Sequence, residues 1–471
     1  MPQAKFETVH AGLGPDFFDP VEAADFPRTV LRYRNRRWAE RVGLGGLSDE
    51  DWIARFGWFE PFEGSFRTPL ALRYHGHQFQ VYNPDLGDGR GFLFAQLRDL
   101  EDGRLLDLGT KGSGTTPWSR GGDGRLTLKG GVREVLATEM LEALGVDTSK
   151  SFSLIETGES LMRNDEPSPT RSSVLVRLSH SHIRIGTFQR LAYLEDTENI
   201  RRLVDHAIAH YYPHLGDLAE AQKVPAFLGA VCEAVAKTGA RMIAAGFVHG
   251  VLNSDNINIT GEAFDYGPWR FLDRYEAGFT AAYFDQGGLY AFGRQPDALA
   301  WNLTRLAECL VPLSDIPKLE PALNRFWPAF QRGLALAVLE RLALVPAGED
   351  QDAEFTAALF KFLGAINPPF EQVIFDLRGG ADAERLGASP AASAYAAAEF
   401  EPVRAALSNY QARPGARAHP YFDRARPRTM VIEEMEALWA PIADKDDWSA
   451  FEAALEEIAE LRAAYAGPAD R

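Results

Sequence analysis

Cysteine is almost missing from this chain. Cys232 and Cys309 are the only two in 471 residues. Both sit in apolar helical stretches, AVCEAVA and LAECLV, so they are expected to be buried, reduced thiols, in keeping with a reducing cytoplasm. Positive charge is also short. There are 49 Lys and Arg against 66 Asp and Glu, a net charge of −17, which gives no electrostatic reason to bind nucleic acid or an anionic membrane. No charge-free apolar run is long enough to span a bilayer. The first twenty residues, MPQAKFETVHAGLGPDFFDP, lack the apolar core of a signal peptide and are not rich in Arg and Ser, so the expected location is cytoplasmic. Internal repeats and long low-complexity linkers are missing too. What remains is ordinary for a globular protein: 46% hydrophobic and 24% charged residues, enough for one large bilobal unit or two to three domains.

Residues 65–190 are rich in Gly, Arg and Asp, with short apolar runs between turn signals. FLFAQL (92–97) and LLDLGTK (105–111), joined across Glu101-Asp102-Gly103, have the pattern of a β-hairpin, and VLVRLS (174–179) that of another strand. Between them, residues 128–145 carry Val132, Val135, Leu136, Met140, Leu141 and Leu144 at helical spacing, with Gly145 at the C-terminal cap. Beyond about residue 195 the texture changes to long helices, expected at 197–214, 226–245, 296–312, 321–344 and 353–365. The tail has an Ala-rich helical run at 390–407 and helices near 430–440 and 448–465. The fold class is α+β: a β-rich first lobe with one prominent helix, then a mainly helical second lobe. The expected divisions are 1–190, 191–425 and a C-terminal tail at 426–471.

The segment from His249 to Pro268, HGVLNSDNINITGEAFDYGP, interrupts the helices and packs Asp255, Asn256 and Asp265 together. Hard divalent cations take oxygen ligands, and Mg²⁺ is commonly held by one or two carboxylates plus substrate phosphates. Protein kinases build that site from a catalytic-loop Asn and the Asp of an Asp-Phe-Gly triplet. Asn256 and the Asp265-Tyr266-Gly267 triplet offer the same pair. A kinase also has His-Arg-Asp, with that Asp as base; here His249-Gly250-Val251 puts valine in its place. Asp255 is available as a general base, or is only the capping residue of an Asn/Asp-rich turn.

Lys111 closes a strand, and Glu134 follows on the helix; a strand lysine paired to a helix glutamate is how kinases orient a cation onto phosphates, and a chance pairing of two common residue types is the alternative. Two glycine clusters flank the lysine, Gly87 to Gly91 and the run KGSGTTPWSRGGDGR from Lys111 to Arg125. Such loops let a backbone approach a phosphate, though Asp-Gly is also a common turn. Kinases place their glycine-rich loop before the lysine; here the richer one follows, which suggests a nucleotide in an altered orientation. Arg177 and Arg184 interrupt apolar stretches, and each needs an anion, from a phosphate or from a buried carboxylate. The pairs His75/His77 and His180/His182 lack a third ligand at zinc spacing and are expected to pack and hydrogen-bond.

These motifs together resemble the selenoprotein O family. The matching text is YHGHQF (74–79), LGDGRG (86–91), KGSGTTPWSRGGDGR (111–125), VREVLATEM (132–140), VRLSHSHIRIG (176–186), HGVLNSDN (249–256) and FDYGP (264–268), and covers about residues 15–310. The resemblance implies a protein-kinase-like fold that binds ATP flipped and transfers AMP to protein hydroxyls, itself included. It implies Lys111 on the phosphates, paired with Glu134, and Gly87, Gly89, Arg90, Asp123 and Gly124 shaping the nucleotide pocket. Arg177 and Arg184 would hold the outer phosphate, Asp255 would accept the proton, and Asn256 and Asp265 would bind Mg²⁺ or Mn²⁺. UMP transfer from UTP, a conventional kinase and a non-catalytic scaffold are the alternatives. The cysteines that some relatives carry near the C terminus and after this triplet are missing here, and the tail beyond about 420 fits the family poorly.

Overall fold

The structure, a computed structural model, describes residues 3–164 and 166–466. Up to residue 98 its elements are β1 (Phe6–Glu7), β2 (Phe18–Pro20), β3 (Val30–Arg34), α1 (Arg36–Arg41), α2 (Asp49–Phe56), β4 (Leu70–Leu72), β5 (Gly76–Gln78), β6 (Val81–Asn83) and β7 (Leu93–Arg98). Then come β8 (Leu105–Lys111), β9 (Leu126–Thr127), α3 (Leu128–Ala143), β10 (Lys150–Leu161) and β11 (Thr170–Ser179). Among the described residues nine strands form one sheet, along the path β2-β4-β7-β8-β11-β10-β3, with β1 joined to β7 and β9 to β11. The pairings are antiparallel, so hairpins suffice to connect neighbours.

Side-chain alternation decides what covers each face. On β11, Val174, Val176 and Leu178 share a core with Trp38, Trp52 and Phe56 of α1 and α2. Leu175, between them in sequence, joins Val132, Val135, Leu136 and Met140 of α3. Arg177 has the parity of Leu175 and so faces α3. Lys111 is in register with Leu175 and faces it as well. The sheet thus delivers two cations to one side of one helix.

The helical part contains α4 (Ile185–Tyr193), α5 (Thr197–Tyr211), α6 (Glu220–Ala244), the hairpin of β12 (Phe247–His249) with β13 (Trp269–Phe271), α7 (Gln295–Leu310), α8 (Ile316–Leu323), α9 (Phe326–Arg341) and α10 (Glu349–Ile366). It continues through α11 (Phe370–Asp376), α12 (Ala383–Ala388), α13 (Ala392–Tyr395) and α14 (Glu401–Leu407) to α15 (Ile432–Lys445) and α16 (Ser449–Ala466). Among the described residues no helix is long and apolar enough to cross a membrane.

The expected hairpin 92–111, the helix from 128 and four of the five long helices, at 197–214, 226–245, 296–312 and 353–365, are present within a few residues. Gly145 lies just beyond α3 with φ +83°, the left-handed turn that ends many helices. Two expected helices are divided. The run 390–407 is α13, a 3₁₀ turn and α14, because Pro402 in the first turn of α14 has no N–H to continue a preceding helix. The stretch 321–344 holds the end of α8 and the whole of α9. Cys232 and Cys309 are both buried, and burial pushes each thiol up to about 12, so neither supplies thiolate at neutral pH. Activity should therefore be insensitive to dithiothreitol. A rate change on reduction that disappears in a Cys-free variant would contradict this.

Candidate active site

Four charged side chains lock together where the sheet, α3 and the His249–Pro268 segment meet. Lys111 Nζ stands 2.7 Å from Glu134 Oε2 and 2.7 Å from Asp265 Oδ1. Arg177 Nη1 donates to Asp265 Oδ1 at 3.1 Å and lies 3.4 Å from Glu134 Oε1. Two cations against two carboxylates balance the charge, which a buried cluster requires. Burial works against the charge on Asp265, yet Lys111, Arg177 and Arg90 hold its carboxyl well below the usual carboxylate range. Asp265 keeps 30% of its side-chain surface open, against 1% for Glu134. It is therefore the carboxylate that a ligand can reach. Its φ of +63° is a left-handed conformation that Asp tolerates better than most residues.

His249 organises the loop before it. Its two ring nitrogens face the carbonyl of Phe264 at 3.0 Å and the N–H of Val251 at 3.3 Å, linking the start of the segment to the residue before Asp265. Asn256 Nδ2 donates to the Val251 carbonyl at 3.0 Å, which leaves its Oδ1 for other partners. Asp255 is buried, and its Oδ1 has no hydrogen-bond partner. Burial pushes its carboxyl up to about 6, against the opposing pull of Arg184. A buried carboxylate with one oxygen unpartnered is costly to keep ionised and ready to take a proton.

Asp255, Asn256 and Asp265 all line a cleft of about 900 Å³. Arg90, Lys111, Arg120, Arg125 and Arg163 line it as well, a concentration of positive charge in an acidic chain. Both glycine clusters contribute. Gly87, Gly89 and Arg90 lie on one wall, and the stretch from Trp118 to Arg125 on another. The clusters are tied together: Thr116 Oγ1 donates to the Asp88 carbonyl at 2.5 Å and Ser119 Oγ to that of Gly89 at 2.6 Å. Two glycines are needed for this contact. A Cβ at Gly87 would sit 2.4 Å from the Trp118 ring, and one at Gly89 would sit 2.7 Å from the Trp118 carbonyl oxygen. Asp123 is on the wall but paired to Arg163 at 2.7 Å.

The structure therefore brings Gly87, Gly89, Arg90, Lys111, Asp123, Gly124, Asp255, Asn256 and Asp265 to one cleft. Arg177 and Arg184 stand just behind it. Arg184 lies 3.3 Å from Asp88 Oδ1, with its guanidinium 4.0 Å from the Tyr74 ring centre and 5.0 Å from that of Phe264. Each arginine thus already has a protein carboxylate. Arg177→Ala would leave Glu134 and Asp265 sharing Lys111 alone. It should lower stability by about 3–5 kcal/mol, the range for breaking a buried pair, as measured by chemical denaturation. An unchanged midpoint would show that the quartet is not formed in solution. Sequence reasoning missed Arg120, Trp118 and Tyr74 as wall residues. The only signal for Arg120 was an arginine directly before a Gly-Gly pair; its φ of +49° shows how tightly that loop is wound.

The paired histidines make hydrogen bonds. His75 Nδ1 contacts Tyr82 Oη at 2.7 Å, His77 Nδ1 contacts Gln189 Nε2 at 2.6 Å, and His182 binds Asp107 through its backbone N–H at 2.8 Å.

An α+β protein with a cation-lined cleft that holds a buried carboxylate and two further oxygen donors is the class that this fold and site define. The chain belongs to the SelO family: the family model described as protein adenylyltransferase SelO matches residues 1–459. That match runs through α15 and most of α16, which corrects the expectation of a poorly fitting tail. Among its relatives is the protein nucleotidyltransferase YdiU of Gloeobacter violaceus, 44% identical over 474 residues, covering 98% of this chain and 96% of that protein. The protein of the same name from Trichormus variabilis is 42% identical over 465 residues, covering 95% and 94%. That of Synechocystis is 56% identical over 304 residues, covering 64% and 63%. These likenesses place the chain among the nucleotidyltransferases.

Proposed function

We propose that the chain transfers AMP from ATP to Ser, Thr or Tyr hydroxyls of proteins, with the nucleotide flipped relative to its pose in a protein kinase. The observation that carries this reading is the position of Asp255, a buried carboxylate whose Oδ1 has no hydrogen-bond partner, in the same cleft as the two oxygen donors Asn256 and Asp265. Asp255 lies next to Asn256 in the chain, and Val251 stands where a kinase has its base. The glycine-rich wall that follows Lys111 supports the flipped orientation, because a kinase builds that wall from a loop ahead of its lysine. The likeness to a kinase is one of parts: the sheet with α3, the Lys111–Glu134 pair and the Asp265 triplet.

In this reading the acceptor hydroxyl oxygen attacks the α-phosphorus. The bond from that phosphorus to the bridging oxygen of the β-phosphate breaks, pyrophosphate leaves, and Asp255 takes the hydroxyl proton. Lys111 and Arg90 face the negative charge of the phosphates, and Lys111 is kept in place by Glu134. The donor set fits a hard divalent cation. Asn256 retains Oδ1, and Asp265 Oδ1 is committed to Lys111 and Arg177, leaving Oδ2. Among the described residues no three His, Cys, Asp or Glu side chains converge on a metal site, so phosphates and water would complete the shell. Mg²⁺ or Mn²⁺ held by Asn256 and Asp265 would supply charge stabilisation to the transferring phosphoryl group.

UTP is the second reading, since the name that the relatives share, protein nucleotidyltransferase, leaves the nucleotide open. A conventional kinase has Val251 against it, and a scaffold without turnover has no need of Asp255, Asn256 and Asp265 together. Two ATP analogues test the proposal. With α,β-methylene ATP no adduct should form on protein, because the bond to be broken is replaced. With β,γ-imido ATP an adenylyl adduct should form and be visible by mass spectrometry. The opposite pattern would assign the chemistry to the γ-phosphate.

A further inference from the structure

Helix α16 lies about 320 residues beyond α3 in sequence, yet it packs along it. Phe451, Ile458 and Leu461 share a buried core with Val135, Leu136 and Met140. At the centre of the contact Arg462 Nη2 donates to the Glu139 carbonyl at 3.2 Å and pairs with the Glu139 carboxylate. Both carboxylate oxygens of Glu139 are engaged: the other one accepts from Tyr33 Oη at 2.8 Å and Asn35 Nδ2 at 2.9 Å. Helix α15 adds Glu436, 2.7 Å from Lys129 in the first turn of α3. Asp446, after α15, reaches the sheet through Arg171 at 2.7 Å and Arg32 at 3.0 Å.

The other side of α16 is fastened to the helical part and the stretch before α15. Arg428 pairs with Glu457 at 3.0 Å, and Arg424 pairs with Glu460. The guanidiniums of Arg378 and Arg341 lie 4.5 and 5.6 Å from the Tyr465 ring centre. One helix therefore joins both parts of the fold. Glu134 and Glu139 are five residues apart on α3, so their directions differ by about 140° around the helix axis. The catalytic cleft holds α3 by one side, and α16 holds it by another.

We infer that the α15–α16 pair is a positioning element of the nucleotide site: through Arg462 and Glu139 it sets the place of α3, and with it the Lys111–Glu134 pair. This rests on the reading of Lys111 as a phosphate-binding residue. Arg462 touches no cleft residue, so it acts by geometry alone; small displacements of a positioned charge are costly in rate and affinity. The affinity for MgATP, measured by titration calorimetry well below every variant's melting temperature, tests the inference. Arg462→Ala should weaken binding at least about fivefold, the lower end of ordinary coupling between sites. Arg462→Lys should restore most of it. Arg462→Gln carries the same expectation as the alanine variant should that one fail to fold. Leu359→Ala, a cavity variant in the buried core around α10, should lower the melting temperature and leave the affinity unchanged. Lys111→Ala is run in parallel. A wild-type affinity for Arg462→Ala beside a weakened Lys111→Ala would overturn the positioning role. A wild-type affinity for Lys111→Ala would overturn the site reading, and this inference with it.

Discussion

Asp265→Asn should reduce nucleotidyl transfer by about a thousandfold or more. Asp265 is the carboxylate of the buried quartet that lines the cleft, and in the proposed reading it is the charged ligand of a phosphate-bridging cation. Losing such a ligand removes several kcal/mol of transition-state stabilisation, at about 1.4 kcal/mol per tenfold. Asn is the better test than Ala, because position 265 has φ +63°, which Asn tolerates and Ala does not. The fold should survive: Lys111 keeps Glu134 at 2.7 Å, and Arg177 keeps it at 3.4 Å. Normal turnover in this variant at ordinary Mg²⁺ concentrations would show that the metal assignment is wrong.

Asp255→Asn should cost about a hundredfold to ten-thousandfold in transfer, the range for removing a general base. Its effect on stability should run the other way. Asp255 is buried with an unpartnered Oδ1, and burial outweighs the pull of Arg184, so its charge is a net burden on the fold of the free protein. A neutral amide of the same shape should melt no lower than wild type at pH 8. Inactivity with an unchanged or raised melting temperature marks a group kept for chemistry; inactivity with a large drop in melting temperature would mean that Asp255 is a structural cap.

The local signals were legible in the sequence. The turn at Gly103, the helix from Leu128 and the Gly145 cap are short-range patterns, and each is present. The pairing of Lys111 with Glu134 could be named from spacing but not proved by it. The contact itself is 2.7 Å long, and it forms because the register of β8 against β11 turns Lys111 and Arg177 to the α3 face. The partners of the two arginines were open between phosphate and carboxylate, and spacing could not decide, since Asp88 and Asp265 meet them only in three dimensions. The role of the tail was illegible for the same reason. Arg462 and Glu139 lie 323 residues apart and carry no local mark of their meeting. The break in 390–407 was legible in principle, because Pro402 interrupts an otherwise Ala-rich run.

The central claim is that the α-phosphorus, not the γ-phosphorus, is transferred. Incubation of the full chain with ATP carrying label in the α-phosphate, and in parallel with label in the γ-phosphate, tests it directly. Label from the α-phosphate should become acid-stable on protein, with none from the γ-phosphate and none of either with Asp265→Asn. Transfer of γ-label without α-label would contradict the account.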